Sequence, residues 1–336
     1  MMKFMDSLNF AIKSLLVAIF ILLLVLLFAR PAALINLSTF SSGRFLRAEK
    51  TSSSRPLTST SLPDWSLLSI TDKVAFSDIF LDFTPDTFFL LSESSSFLTL
   101  FDKQKNNLLV FLSPTSKERV RNVLSFPLLS FTSITPIFSF SSDLSSLALL
   151  NPTKNSLTLW DTVIPDRPIL IKDLALDANS SVTRIINQGT AIILISRSGS
   201  IEIINPKGNS YVSFPYFIPG CEEVKDAVVT SNRLYLACSG KTPFLAIVAI
   251  SDVGSPLLIH TFTLPFVPTA LAYKKGSEIL AIGGEDLIKL YDLKNELLLE
   301  EKSSLPLESV ITHLAFKGNS LHTYLKNNFL FIIAPR

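Results

Sequence analysis

From Trp65 onward, short apolar runs alternate with short polar turns along the chain. The clearest example is Ile279–Asp292, ILAIGGEDLIKLYD, in which a turn containing Gly284 and Asp286 separates two apolar runs. Runs of this length bounded by turn residues predict two β-strands joined by a tight connection. The same order of turn, strand, turn and strand recurs in five further segments: Phe83–Asp102, Phe140–Asp161, Ile186–Asn205, Val229–Ser251 and Phe316–Ile333.

These units recur roughly every 40–60 residues, a period typical of arrays of small repeated sheets. Their order matches strands a, b and c of a β-propeller blade. A fourth strand d follows two of them, at Leu108–Leu112 after the first unit and at Leu257–Leu264 after the fourth. The pattern predicts an all-β domain over residues 65–336, a propeller of six blades. A seventh blade within residues 103–133, where two units are farthest apart, is the alternative.

The two ends of the predicted domain indicate how the ring closes. The sixth unit stops three residues before the C-terminus and has no strand d of its own. The apolar segment Trp65–Ile70, WSLLSI, precedes the first unit and belongs to no other blade. We expect it to pair with Phe329–Ile333 and complete the sixth blade, because closure removes the exposed edges that an open array would present.

Several units end in an aromatic residue followed by aspartate. Trp160-Asp161 ends the second unit, and Tyr291-Asp292 and Phe101-Asp102 occupy the same place in the fifth and first units. Together with the turn aspartate Asp286, these pairs make the region resemble the WD40-repeat family of propellers. The resemblance spans the whole predicted propeller but is specific only in the second and fifth units. If this repeat register is correct, Trp160 packs into the core.

The polar residues of the chain depart from the WD40 pattern. The Gly-His dipeptide of the family is absent, and the only histidines are His260, His313 and His322. The usual hydrogen-bond network of histidine, serine or threonine, tryptophan and aspartate therefore cannot form in any blade. We expect apolar packing to hold the blades together. Each histidine has a structural interpretation, so none of them is assigned a catalytic role.

Residues Ser113–Phe126, SPTSKERVRNVLSF, lengthen the interval between the first two units. A serine followed by proline favours a helix start, and Val120, Val123 and Leu124 would share one helical face. The pattern predicts a short helix inserted over the propeller, with a solvated connector as the alternative. Inserted segments often bind partners, so the candidate partner-binding residues are the basic ones of this segment: Lys117, Arg119 and Arg121.

The N-terminal region contains an uninterrupted apolar run, Leu15–Ala29. A helix over residues 10–29 would have twenty residues and, at about 1.5 Å per residue, would span roughly 30 Å, the thickness of a bilayer core. We predict a transmembrane signal anchor over residues 10–29, after a tail of residues 1–9. A cleaved signal peptide is the alternative, although Arg30 or Pro31 would stand where cleavage needs a small residue.

Residues 30–64 are rich in serine and threonine and cannot bury a core, so we expect a disordered linker. More positive charges follow the apolar run than precede it: Arg30, Arg44, Arg47 and Lys50 against Lys3 and Lys13. This imbalance favours a cytoplasmic propeller on a single-pass protein of the endoplasmic reticulum or another endomembrane. A lumenal or secreted propeller is the alternative.

Composition and motifs argue against several kinds of chemistry. The net charge of +2 comes from the N-terminal region, which leaves the propeller slightly acidic and a poor nucleic-acid binder. The sequence has no phosphate-binding glycine loop, nucleophile elbow, calcium loop or zinc motif, so we expect no cofactor, metal or catalytic residue. We expect Cys221 and Cys238 to be buried free thiols, with a disulfide as the alternative.

Anchor, linker and propeller together predict a class of function. We expect a membrane-anchored scaffold whose propeller faces bind protein partners, in membrane trafficking or in the assembly of a membrane complex. The layout is similar to that of membrane-bound WD40-like exchange factors for small GTPases, which carry their anchor after the propeller. The alternatives are a lumenal or periplasmic hydrolase or lyase that uses the central channel, and a secreted binding propeller.

Overall fold

The structure is a computed structural model that describes most of the predicted propeller. The described residues all belong to one compact unit, Leu62–Arg336. The predicted anchor, the linker up to residue 63 and the segment 113–121 lie outside the described residues. The described ranges are 64–79, 88–93, 97–112, 122–128, 136–151, 154–164, 167–176, 181–189, 191–205, 216–230, 232–250, 256–293 and 298–335.

The described residues form six antiparallel sheets, which are six blades with strands a to d in spatial order. The first blade contains β2 (Phe88–Glu93), β3 (Phe97–Asp102), β4 (Asn107–Leu112) and β5 (Asn122–Pro127). The second contains β6 (Phe138–Phe140), β7 (Ser146–Asn151), β8 (Ser156–Asp161) and β9 (Ile169–Ala175). The third contains β10 (Val182–Asn187), β11 (Ile192–Ser196) and β12 (Ile201–Ile204), and Tyr216 forms an isolated bridge to Ile201.

The last three blades have four described strands each. The fourth contains β13 (Glu223–Val229), β14 (Arg233–Ser239), β15 (Phe244–Ala249) and β16 (Leu257–Thr263). The fifth contains β17 (Ala270–Lys274), β18 (Ile279–Gly283), β19 (Leu287–Asp292) and β20 (Glu300–Pro306). The sixth contains β21 (Ile311–Lys317), β22 (Ser320–Leu325), β23 (Phe329–Pro335) and β1 (Leu68–Ala75), which is followed by the four-residue helix α1 (Phe76–Ile79).

The sixth blade is closed by a strand from the other end of the domain. β1 pairs antiparallel with β23, from Leu68 opposite Pro335 to Ala75 opposite Phe329. The sheet order β1-β23-β22-β21 places β1 in the strand d position. The predicted ring closure is therefore confirmed, as are the all-β architecture and the count of six blades. No helix among the described residues is long and apolar enough to cross a membrane.

The first blade corrects two predictions. Leu108–Leu112 lies within β4 and is strand c, and β5 is strand d. Residues 122–126, predicted as helix, are therefore strand: Leu124 and Phe126 are buried whereas Ser125 between them is exposed. The few apolar residues of this stretch fit either period, and pairing with β4 selects the period of two. The described part of residues 103–133 belongs to this blade, so no seventh blade is found there.

Trp160 is half-buried and packs against the core cluster of the first and second blades rather than inside it. Its ring meets Phe126 of the preceding blade edge-on, with 5.2 Å between centroids. Its indole N–H donates to Thr158 Oγ1 at 3.1 Å. The Trp-Asp position thus retains an inter-blade contact, but the hydrogen bond stays within the strand.

Apolar packing between neighbouring blades forms the core. One cluster joins the fifth and sixth blades and includes the fully buried Ile288 and Leu321. Another joins the fourth and fifth and includes Leu245 and Leu280, also fully buried. Burying a side chain of this size contributes about 1.5–3 kcal/mol. Blade cohesion thus rests largely on apolar contacts, as expected for a chain without the usual histidine network.

The two glycines of the fifth blade are required by close neighbours. A Cβ on Gly283 would lie 2.8 Å from Ile311 Cγ2 of the sixth blade. A Cβ on Gly284 would lie 2.8 Å from the Phe266 ring. Glycine therefore lets this b–c turn approach its neighbours, which explains why the Ile279–Asp292 stretch carries both residues.

Three strands have a bulge at which a threonine hydroxyl satisfies a backbone carbonyl. The register shifts between Val182 and Arg184, between Ile311 and His313, and between Ile70 and Asp72. The threonine at each shift donates to a carbonyl of the paired strand: Thr183 to Ile195, Thr312 to Tyr324 and Thr71 to Ile332, at 3.4, 3.1 and 2.9 Å. A bulge leaves one residue of the ladder unpaired, and these hydroxyls compensate for it.

Antiparallel blades place their connections at two opposite ends. We call the end with the a–b and c–d connections the c–d face, and the end with the b–c and d–a connections the d–a face. At the d–a face, the residue after strand d donates a backbone hydrogen bond to a b–c turn in five blades: Leu128 to Asn106, Leu176 to Asn155, Leu264 to Pro243, Leu307 to Asp286 and Phe76 to Asn328. This repeated bond gives blades of different sequence a common shape.

The two cysteines form a disulfide, which corrects the prediction of free thiols. Cys221 precedes β13 and Cys238 lies in β14, with 5.3 Å between their Cα atoms. Both are buried, as expected. In the pairing of β13 with β14, Val224 lies opposite Cys238. Cys221 shortly precedes Val224 in the chain and therefore lies near the Cys238 sulfur. The bond closes the a–b hairpin of the fourth blade.

Candidate functional site

Strands a of blades two to six line a central channel of about 1030 Å³. Most of its wall is apolar or carries hydroxyl groups, but Arg184, Lys225, Asp226 and His313 also line it. Two further lining residues, Lys274 at the end of β17 and Lys275 after it, lie toward the c–d face. Arg184, Lys225 and Asp226 lie on β10 and β13, toward the d–a face, and form the centre of the candidate site.

One ion pair at this position joins three blades. Arg184 Nη1 lies 2.9 Å from Asp226 Oδ1, and Arg184 Nε donates to the Lys225 carbonyl at 3.1 Å. Asp226 Oδ2 accepts a hydrogen bond from the Leu271 backbone N–H of the fifth blade at 2.7 Å. The Asp226 side chain is 14% exposed, so solvent screens this pair less than it screens an ordinary surface pair. The arrangement fixes the positions of three neighbouring strands around the channel.

A second, more exposed group of charges continues outward from this pair. Lys225 Nζ lies 2.6 Å from Glu223 Oε2, and Arg197 Nη2 lies 3.5 Å from Glu223 Oε1. The hydrogen bond from Lys225, aided by Arg197, lowers the pKa of Glu223 below its ordinary value. We call Arg184, Arg197, Glu223, Lys225 and Asp226 the ionic cluster. It presents donors and acceptors of both charges at the d–a mouth of the channel.

Two equivalent bulges bring the cluster together. The register of β10 shifts before Arg184, and the register of β13 shifts before Asp226. The residue after each bulge therefore lies at the same level of its blade and faces the channel. The sequence signal is a strand a in which charged residues stand among apolar ones, as in VTRIIN and EVKDAVV. This pattern is visible in the sequence, but the residues that the charged side chains contact depend on how the blades stack.

The predicted site residues Lys117, Arg119 and Arg121 lie outside the described residues, in the connection between β4 and β5. They remain predictions. The histidines lie on separate strands: His260 meets the Phe262 ring on β16 at 4.5 Å, His322 is buried in β22, and His313 lines the channel. Within the described part of the chain, no group of three or more metal-ligating side chains is placed to hold a metal ion.

Replacing Glu223 tests the electrostatics of the ionic cluster. Because the folded state lowers the Glu223 pKa, its carboxylate stabilises the fold above the ordinary glutamate pKa of about 4.3, and this contribution is lost as the pH falls through the lowered value. We expect Glu223→Gln to lower the urea midpoint of unfolding at pH 7. At a pH below the lowered Glu223 pKa, the midpoint of the variant should equal that of the wild type. Urea unfolding over a pH series measures the difference.

The control for this experiment is Glu222→Gln, a change at the exposed neighbouring carboxylate. It should lower the midpoint at pH 7 by less than Glu223→Gln does. A difference between Glu223→Gln and wild type that stayed constant from pH 7 to the acid end would mean that the cluster does not stabilise the carboxylate.

No protein-family model and no curated protein sequence matches this chain. Solved structures do match, 1326 chains in all. Raptor from Chaetomium thermophilum has a TM-score of 0.57 and 13% identity, over 71% of this chain and 22% of that one. A functionally unknown protein from Desulfotomaculum acetoxidans DSM 771 has a TM-score of 0.50 and 12% identity, over 73% of this chain and 84% of that one. Sqt1 from Saccharomyces cerevisiae has a TM-score of 0.46 and 15% identity, over 69% and 65%.

The similarities to Raptor and to the Desulfotomaculum acetoxidans protein show the class of fold. The chain spans about a fifth of Raptor and about two-thirds of Sqt1. At such low identity they show the fold alone, a WD40-like β-propeller. A fold shared by so many structures supports many functions, so the function has to be argued from the site.

Proposed function

We propose that this chain is a membrane-anchored β-propeller that holds a protein partner at a membrane, in the assembly of a membrane complex or in trafficking. The observation that carries the proposal is the way the ring closes. The closing strand β1 begins at Leu68, after the short segment Trp65–Leu67 that follows the predicted linker, and pairs along its length with β23. An anchor in residues 10–29 would therefore be connected to the propeller through β1, the strand that closes the ring.

The ionic cluster is the surface to which we assign the partner. The Arg197 side chain is 66% exposed, and those of Glu223 and Lys225 are about one-third exposed. Charged side chains on a rigid support favour association with a complementary polar surface and select its orientation. A partner segment carrying both an acidic and a basic residue fits this arrangement best.

Proximity labelling tests the partner site. A labelling enzyme fused to the C-terminus of the full chain should reproducibly label a small set of proteins. Arg197→Glu should reduce the labelling of the direct partner severalfold, because it reverses the most exposed charge of the cluster. Lys326→Glu, an exposed charge reversal in the b–c turn of the sixth blade, is the matched control and should leave that labelling unchanged. Equal labelling by all three chains would contradict the assignment.

Membrane extraction tests the anchor. The full chain should stay with the membranes after alkaline extraction and should float with them on a density gradient. N-terminal sequencing of the membrane-bound chain should begin at or near Met1, which separates an anchor from a cleaved signal peptide. A chain released by alkaline extraction would overturn the anchor.

The disulfide supports an assignment of sidedness opposite to the cytoplasmic expectation. Disulfides persist in oxidising compartments and are rare in the cytosol. We therefore place the propeller on the lumenal or exoplasmic side of the membrane, with Cys221 bonded to Cys238. The flanking charges that favour the cytoplasm are a weaker guide, because large domains are translocated largely regardless of charge.

Thiol labelling measures this sidedness directly. The full chain isolated from cells under denaturing conditions should not react with a maleimide polymer until it is reduced, and should then gain two adducts, one for each cysteine. Cys238→Ser should give one adduct without reduction, which shows that the reagent reaches the chain. Two adducts on the unreduced wild-type chain would place the propeller in the cytosol.

A further inference from the structure

Exposed apolar side chains are concentrated at one end of the propeller. Among the described residues, twelve large apolar side chains are exposed. Ten of these lie at the c–d face or on the adjoining first residues of strand d, and only Phe217 and Val267 lie at the d–a face. Single exposed apolar residues are ordinary on a protein surface, but such an asymmetry between two ends is not.

The second blade carries half of this surface. Val163 and Ile164 lie in its c–d connection and are 66% and 57% exposed. The first three residues of the following strand, Ile169–Ile171, are also exposed. A cavity lined partly by Phe97, Leu124 and Val163 lies beside them, between the first and second blades. This corner is the most apolar part of the c–d face.

The rest of the apolar surface is spread around the ring. Leu112 belongs to the first blade, Leu257 to the fourth, Leu298 to the fifth, and Leu67 and Ile70 to the sixth. Five of the six blades thus contribute at the same end. A protein partner of ordinary size buries about 800 Å² on each side and would cover one part of such a ring. The interface of a bilayer extends over the whole ring, and apolar side chains can insert there at the boundary between head groups and acyl chains.

We propose that the c–d face lies against the lipid surface of the bilayer that residues 10–29 cross, with the second blade's corner at the level of the lipid head groups. The inference rests on the proposed anchoring. It is supported by the point at which the chain enters the domain, because the buried Trp65 and the exposed Leu67 precede the first residue of β1, on this same face. The ionic cluster at the d–a face then points away from the membrane and is open to a protein partner.

Lipid-borne quenchers test the orientation. Both native cysteines are in the disulfide, so one introduced cysteine is the only free thiol in the chain. Full-length Ile164→Cys and Phe217→Cys, at positions 57% and 58% exposed on opposite faces, are labelled with an environment-sensitive fluorophore. The chains are reconstituted in phosphatidylcholine vesicles, with and without nitroxide-labelled lipid. We expect severalfold stronger quenching at position 164 than at position 217.

Each outcome bears on the inference. Vesicles that float with the chain but quench both positions equally would overturn the orientation and leave the anchor intact. A chain that does not float with the vesicles would overturn the anchor and, with it, the orientation. Shielding of position 164 that grows with the protein-to-lipid ratio, without lipid quenching, would assign the face to a second copy of the chain. A second pair, Leu257→Cys and Val267→Cys, should repeat the result; no quenching at 257 would overturn the ring-wide contact.

Discussion

Deleting Leu68–Ala75 is expected to unfold the propeller or make it oligomerise. The deletion removes the seven residue pairs between β1 and β23 and the fully buried Val74. It leaves β23 as an open edge strand, which can pair with another chain. Light scattering of the purified full-length variant should report oligomers, and its thermal transition should be broad or absent.

The matched control is a deletion of equal length in the linker, Thr51–Thr58. This segment lies outside the compact unit that forms the propeller. The control should therefore unfold like the wild type, at the same size and with the same cooperativity. A deletion of Leu68–Ala75 that behaved like the control would mean that the ring does not depend on its closing strand.

Replacing Trp65 by alanine is expected to lower the free energy of unfolding by about 3–5 kcal/mol. The residue precedes β1 and is only 5% exposed. Its ring meets Phe316 edge-on at 5.6 Å between centroids, and Lys274 Nζ lies 4.3 Å from its centroid. Removing the ring leaves a cavity between the fifth and sixth blades and removes both contacts. Urea unfolding followed by circular dichroism measures the loss.

Leu67→Ala is the control for Trp65→Ala, because this neighbouring side chain is 58% exposed. Its effect should lie within about 0.5 kcal/mol of zero, as for most surface substitutions. A cost below about 1 kcal/mol for Trp65→Ala would mean that the indole does not hold the closing strand to the fifth and sixth blades.

The alternation of apolar and polar residues predicted the propeller because strand formation is largely a local property. Each blade has two central strands that are mostly apolar, as in β18 and β19, and turn residues separate them. Closure was also predictable, since Phe329–Ile333 lacked a partner and the apolar run Trp65–Ile70, ahead of the first unit, was unassigned. The error at residues 122–126 arose where too few apolar residues were present to distinguish a period of two from a helical period.

The disulfide and the ionic cluster were not predictable in the same way. Cys221 and Cys238 are 17 residues apart, and a general tendency of cysteine to be buried does not distinguish a buried thiol from a buried disulfide. Asp226 of the fourth blade accepts a hydrogen bond from the Leu271 N–H of the fifth blade, which lies 45 residues away in the sequence. These contacts depend on the bulges that orient strand a and on how closely neighbouring blades stack.

Ile279–Asp292 shows which features depend on neighbouring residues and which depend on the tertiary structure. Its alternation and turn residues are enough to predict two strands and a tight connection, because both depend on neighbouring residues. Its glycines are explained only by Ile311 and Phe266, which approach from elsewhere in the chain. The same holds for the molecule as a whole: local periodicity sets the strands and the number of blades, whereas side chains meet across blades only after the ring has closed. The ionic cluster and the apolar c–d face, on which the proposed functions rest, likewise exist only in the closed ring.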